Sequence, residues 1–456
     1  MSLDNLASQP VGRLLWQYSL PAVVGMLVMA MYNIVDRIFI GQVVGPEAIA
    51  GMALTFPLMN ITTAIGVLVG VGSSSRISIL LGRGDKPASE LMLGNAATLT
   101  LVNAAIYIAI FATWIDPILR AFGAGDITLP YARSYMLWVL PGLLLTNVAF
   151  GLNNVLRSTG YPTRAMMTMI IGAVANVILD AILVLWLDMG MAGAAIATDI
   201  AMALSAWFVV SHFMRHDVNL RFRRGTFTLR APVVMSMMAL GAAPCIINVA
   251  SCMVNALINR SLVTHGGDMA IGAAGIFVTY TSLLVTIVLG ICMGLQPVIG
   301  YNYGAGMYHR LRRAYWLAVA VSTAICTIGC IAGLTIPSYI ARAFTSDAFL
   351  IDSTVVCLRH ALWAFAVVGF QVISTTYFQS VGAPARAMVL SLARQVIFLI
   401  PLMLILSRHM GVEGVWLSFP ISDLLATAVT AALIIPSLRS FADAGRKTPS
   451  GNPKSK

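Results

Sequence analysis

Charge is what this chain has least of. Only 10% of its 456 residues are Asp, Glu, Lys or Arg, against roughly 25% in a soluble protein, while 59% are hydrophobic. That balance excludes an ordinary soluble protein and points to a polytopic membrane protein. Cysteine is scarce as well. All six, Cys245, Cys252, Cys292, Cys326, Cys330 and Cys357, fall within apolar runs, which argues against a disulfide framework and for apolar packing. No His stands in a metal spacing. His212 and His216 are at i and i+4, but only Asp217 is near them, so no metal site is expected. "GRGD" and "GAGM" lack the GK[ST] of a phosphate-binding loop, which leaves ATP-driven transport unsupported. No nucleophile and base pair on facing helices, so an enzyme is not expected, nor any cofactor. Nothing resembles the filter loop of a channel.

The basic excess is real, with 28 Lys and Arg against 17 Asp and Glu, a net charge of +11. It falls in short patches between apolar runs rather than on one surface, so no nucleic-acid partner is expected and membrane orientation explains it better. Runs of about 20 or more apolar residues predict twelve spans. They lie near 14–40, 51–80, 93–115, 130–156, 165–187, 190–214, 233–263, 271–301, 314–340, 355–380, 386–407 and 412–436. With the N-terminus in the cytoplasm, the even-to-odd connections hold Arg83, Lys86, Arg157, Arg164, Arg215, Arg221, Arg223, Arg224, Arg230, Arg310, Arg312, Arg313 and Arg386. The opposite side holds Arg37, Arg120, Arg133, Arg260, Arg342, Arg359 and Arg408. The positive-inside rule then puts both termini in the cytoplasm. The first run is too long for a cleavable signal peptide and lacks a small-residue cleavage site, so it reads as an uncleaved span.

Shifting the chain along itself by about 222 residues exposes a repeat. "VDRIF" (35–39) falls on "INRSL" (258–262), Pro21 on Pro244, "LGRGD" (81–85) on "YGAGM" (303–307), and "STGYPTRAM" (158–166) on "SVGAPARAM" (380–388). With a one-residue slip, "MGMAG" (189–193) meets "MGVEG" (410–414). The expected organisation is an all-α membrane protein of two homologous six-helix bundles: an N-terminal lobe over 1–214, a basic cytoplasmic linker over 215–232, a C-terminal lobe over 233–436 and a disordered cytoplasmic tail over 437–456. An even number of spans per half makes the repeats parallel, an arrangement found in transporters that rock two bundles about a central cavity.

These motifs, together with "VDRIFIGQVVGPEAIAG" and "GLQPVIGYNYGAG", make the chain resemble the multidrug and toxic compound extrusion (MATE) family over nearly its whole length, most closely its DNA-damage-inducible branch. The resemblance implies a secondary active exporter in a bacterial inner membrane, acting as a monomer and exchanging organic compounds for protons or sodium. It carries a cation-coupling set onto Asp36, Asn176, Asp180 and Thr198, and places polar cavity residues near Asn153 and Met202. It makes Pro21 a helix-bending point, since a proline there removes one backbone hydrogen bond. The family's C-terminal acidic branch is not matched: Asn259 stands opposite Asp36, and apolar residues or Pro401 stand opposite Asp180.

The residues support this chemistry independently. A carboxylate in hydrocarbon costs about 2.5–3.5 kcal/mol, so Asp36 and Asp180 need a reason to persist. Asn176 and Asp180, at i and i+4, share a helix face, as do Asn33 and Asp36 at i and i+3. Two such faces turned inward offer the hard oxygen ligands sodium takes. Two carboxylates held out of bulk water also resist joint ionisation, which readies one to take a proton. The alternatives are structural. Asp36 could anchor an interface beside Arg37, Thr198 could bond its own helix, Asn153 and Met202 could be packing, and Asp423 and Arg394 could either pair or line a cavity. Most of the 25 Met residues read as apolar filler, and a few could form a pliable binding wall. Asp36, Asp180 and Asp199 make the N-terminal lobe acidic, which favours a small organic cation or zwitterion as cargo. The competing function is a lipid or lipid-linked oligosaccharide flippase on the same fold.

Overall fold

The computed structural model describes residues 4–43, 46–265 and 267–447. Among these, every regular element is helical. In hydrocarbon each backbone N–H and C=O must be satisfied within its own segment, and the helix does this locally. The long helices are α1 (Val11–Val43), α2 (Pro46–Gly82), α3 (Lys86–Ala121), α4 (Leu129–Ser158), α5 (Pro162–Asp180), α6 (Gly190–Met214), α7 (Ala231–His265), α8 (Gly267–Gly304) and α9 (Tyr308–Thr335). Next, α10 is a bent pair, Ala348–Ala361 and Phe365–Ser380, meeting at 59°.

After it, Pro384–Ser440 runs as one apolar stretch of 57 residues. At helical rise that is about 86 Å, nearly three times the ~30 Å hydrocarbon thickness. Gly411 divides it, with φ 59° and ψ −132°. The part before Gly411 is α11 and the part after it α12. Ten segments that qualify as spans, the bent pair and this division give twelve crossings among the described residues, the number expected.

The repeat is visible in the backbone. Gly84 and Gly306 (φ 77° and 72°), Gly160 and Gly382 (99° and 79°), and Gly190 and Gly411 (54° and 59°) form three left-handed pairs separated by 222, 222 and 221 residues. The turns match bond for bond: Tyr161 N–H donates to Leu156 O at 3.2 Å, and Ala383 N–H to Phe378 O at 2.9 Å. A proline then opens α5 and α11 alike, where its missing N–H is harmless.

The helices gather into two compact units. One holds Leu20–Asn248 with the residues up to Ser8, and the other holds Gln9–Ser19 with the chain from Val249 onward. The expected blocks 1–214 and 233–436 are therefore interrupted, because the first turns of α1 and α7 belong to the opposite half. Glycine contacts explain both exchanges. A Cβ on Gly294 of α8 would lie 2.5 Å from Ser19 Cα, and one on Gly241 of α7 would lie 1.8 Å from Leu68 O of α2. Only glycine permits such approach, and close backbone packing is what associates helices in lipid.

Two further features are local. Part of the basic linker is docked: Asn95 of α3 donates to Thr226 O (2.8 Å) and Thr228 O (3.1 Å) and accepts from Arg230 N–H (2.8 Å). Arg223 also pairs at 2.6 Å with Glu90, whose side chain is buried. The helix carrying α12 continues to Lys447, through the 437–447 stretch expected to be disordered. "LRSFADAGRK" is rich in good helix formers, which extends the helix past Pro436. Residues 448–456 lie outside the described set.

Candidate functional site

In the first unit α5 packs on α6, and the polar residues singled out on both helices meet there. Asn176 and Asp180 are fully buried one turn apart on α5. Asn176 Nδ2 donates to Thr198 Oγ1 of α6 at 3.2 Å. The carbonyl Oδ1 of Asn176 is buried without a hydrogen-bond partner among the described residues. Buried acceptors are nearly always satisfied, and a cation is one partner that would satisfy this one. Asp180 is the last residue of α5 before a π-helical turn, Ala181–Trp186, closed by Leu187 N–H donating to Ile182 O at 3.0 Å. Such wide turns recur at functional sites. Asn33 and Asp36 lie on α1, but their side chains are outside the described residues.

A small cavity opens one turn along the same groove. Gly172 precedes Asn176 by four residues on α5, and Met202 follows Thr198 by four on α6, so the polar cluster and the cavity sit roughly 6 Å apart along the helices. Met29, Phe150, Asn153, Met169, Met202 and Ser205 line it with Gly172. A Cβ on Gly172 would lie 2.5 Å from Ser205 Oγ, so the bare glycine allows the helices to close. Both polar ends of Asn153 are committed: Nδ2 donates to Ala165 O at 2.6 Å, and Oδ1 accepts from Arg157 Nη2. The Ser205 hydroxyl donates to Thr168 O at 3.0 Å. What the cavity presents is chiefly methionine and aromatic surface.

Asn153 and Met202 line the same cavity, while Met29, Phe150, Met169 and Ser205 were not singled out in the sequence. The abundance of Met was their only signal. Arg157, expected in a cytoplasmic connection, is instead buried at the end of α4 behind Asn153. Asp199 turns away from the cluster, its carboxylate against Gly142 of α4. His212 and His216 do not converge: His212 Nδ1 accepts from Arg164 and His216 Nδ1 from Arg221, both at 2.7 Å. In the second unit Arg394 and Asp423 pair directly at 2.7 Å.

Comparison with known proteins agrees with this architecture. A family model described as MatE matches twice, over residues 21–182 and 244–405. An FAD transporter of Shewanella oneidensis is 29% identical over 431 residues, which cover 92% of this chain and 94% of that one. The multidrug export protein MepA of Staphylococcus aureus is 26% identical, with 94% of each chain covered. Among solved structures, the MATE multidrug transporter DinF-BH in complex with the dye rhodamine 6G is 34% identical with a TM-score of 0.88, covering 95% of this chain and 97% of that one. An outward-facing multidrug resistance MATE family transporter of the MOP superfamily shares the fold at 22% identity, with a TM-score of 0.90 and coverage of 96% and 98%. With a match in each of its two halves, together covering more than half of its length, this chain belongs to the MatE family of membrane transporters.

Proposed function

We propose that the protein is a cation-coupled antiporter, driven by protons or sodium, that exports amphipathic organic cations or zwitterions by alternating access. One observation carries this reading: a buried, oxygen-rich cluster and a methionine-lined cavity share one α5–α6 groove, a single turn apart. Asn176 Oδ1, the Asp180 carboxylate and Thr198 Oγ1 offer hard oxygen donors to sodium, the Asp180 carboxylate offers a protonation site, and Asp36 is the second coupling carboxylate expected from the sequence. The cavity's Met side chains repack around differing apolar cargo. Both sites use the same two helices, so filling one changes the geometry of the other. Pro21 lets α1 bend when the cluster changes charge. The chain works as a monomer in a bacterial inner membrane with both termini in the cytoplasm.

A second reading, FAD export, is favoured by Arg157, a buried cation directly behind Asn153, and by the Shewanella relative. The largely apolar lining argues against it, because the FAD pyrophosphate needs charged or N–H donors at the cavity wall. Purified protein in liposomes decides between them. Rhodamine 6G and FAD are loaded in separate vesicles, and sodium and proton gradients are imposed separately. Dye efflux under one gradient, without FAD efflux, is expected. Efflux of neither compound under either gradient overturns the proposal.

Orientation is tested by labelling. Arg221→Cys should react only from the cytoplasmic side and Asp268→Cys only from outside, and the reverse pattern would invert the topology.

A further inference from the structure

The two lobes differ at positions where the repeat predicts that they should agree. Three first-lobe positions, Ala149, Gly172 and Met202, wall the cavity. In the register fixed by the paired glycines, they correspond to Gln371, Arg394 and Asp423 in the second lobe. Small or apolar residues there have become long and polar ones.

Those polar residues are bonded to one another. Arg394 Nε donates to Asp423 Oδ1 at 2.7 Å. Gln371 Nε2 donates to the Asp423 main-chain O at 2.5 Å and to Thr427 Oγ1 at 2.7 Å. Thr427 stands where the first lobe has Ala206. The Asp423 carboxylate is buried and the Arg394 side chain is 28% exposed. The equivalence is spatial as well as sequential. A Cβ on Gly172 would lie 3.6 Å from the Met202 methyl, so the same two positions touch in both lobes.

We propose that the Gln371–Arg394–Asp423 network is a plug. It occupies, in the second lobe, the space that forms the cargo cavity in the first, and so confines cargo to the first lobe. The inference rests on the reading of the first-lobe cavity as the cargo site. Cargo entering the second lobe would have to part Arg394 from Asp423 and leave two uncompensated charges out of water, which is strongly unfavourable. The plug is thus a device for specificity, excluding a second site rather than improving the first.

Equilibrium dialysis of rhodamine 6G against the purified full-length protein tests this. The wild type should bind one dye molecule per chain. The triple variant Gln371→Ala, Arg394→Gly, Asp423→Met restores the first-lobe residues and should bind two. It removes both charges together, so no lone charge stays buried. Met202→Trp alone, which fills the first cavity, should bind none, and combined with the triple variant it should bind one. Two sites in the wild type, or no site gained by the triple variant in either background, overturns the plug. A full site retained by Met202→Trp alone overturns instead the reading of the first-lobe cavity.

If the triple variant does not fold, thiol accessibility gives the answer in an otherwise intact chain carrying Cys245→Ser and Cys252→Ser. Ser205→Cys, on the cavity wall, should react with a small membrane-permeant thiol reagent and be slowed at least tenfold by rhodamine 6G. Ala426→Cys, its counterpart in the second lobe, should stay unreactive. Equal reaction and protection at 426 overturns the plug.

Discussion

Asn176 and Thr198 join α5 to α6 by a hydrogen bond of 3.2 Å from amide to hydroxyl, made one turn from Asp180 and one turn from the methionine cavity. One amide N–H is thereby given to Thr198, and Oδ1 of Asn176 stays buried without a hydrogen-bond partner among the described residues.

Removing that acceptor should therefore weaken the ion site without destroying the fold. Thr198→Val leaves the shape but strands the Asn176 amide, at a cost of about 1–3 kcal/mol of stability, and it removes one oxygen donor, so apparent cation affinity should fall. Thr198→Ser should restore most of it. Asp180→Asn removes the charge and should abolish gradient-driven efflux in proteoliposomes. Coupled efflux surviving in Asp180→Asn would move the coupling site elsewhere.

Asp36 should act as a coupling carboxylate on α1. If ion and cargo share the first lobe, each lowers the other's affinity by the same factor, since linkage is reciprocal. Affinity for rhodamine 6G measured from pH 5 to 9, with and without sodium, should show that competition in the wild type and lose it in Asp36→Asn. Equal competition in both proteins would make Asp36 an interfacial anchor.

The α5–α6 contact should tolerate no side chain at Gly172. Even Gly172→Ala puts a Cβ about where Ser205 Oγ forbids it, 2.5 Å away. Overpacking of this kind costs about 1–3 kcal/mol, which should appear as a lower Tm together with weaker dye binding. Ser205→Gly added to Gly172→Ala should recover most of the Tm, because it removes the colliding hydroxyl.

The docked linker should open when Asn95 is replaced. Asn95→Ala deletes three hydrogen bonds to the 226–230 stretch. Leaving part-buried backbone groups unpaired costs about 1–3 kcal/mol, so the local opening equilibrium should rise at least fivefold. Limited trypsin digestion at Arg223 and Arg224 would then run faster by a similar factor. An unchanged rate would show that the Glu90–Arg223 pair holds the linker without Asn95.

The twelve spans and the repeat were legible in the sequence because they depend on local quantities. A segment of about 20 apolar residues must be helical in lipid, and the left-handed turns at Gly84, Gly160 and Gly190 recur at Gly306, Gly382 and Gly411 because their motifs recur. The shared face of Asn176 and Asp180 likewise follows from helical spacing alone. The tertiary structure decided which faces meet. That Asn176 reaches Thr198, that Gly172 opens a cavity beside Met202, and that Arg394 closes onto Asp423 each depend on how one helix is rotated against another. The burial of Arg157 and the exchange of the first turns of α1 and α7 have the same origin. In lipid there is little hydrophobic force between helices, so such contacts are set by glycine-sized gaps and a few polar bonds between residues far apart in sequence, which no single helix's pattern records.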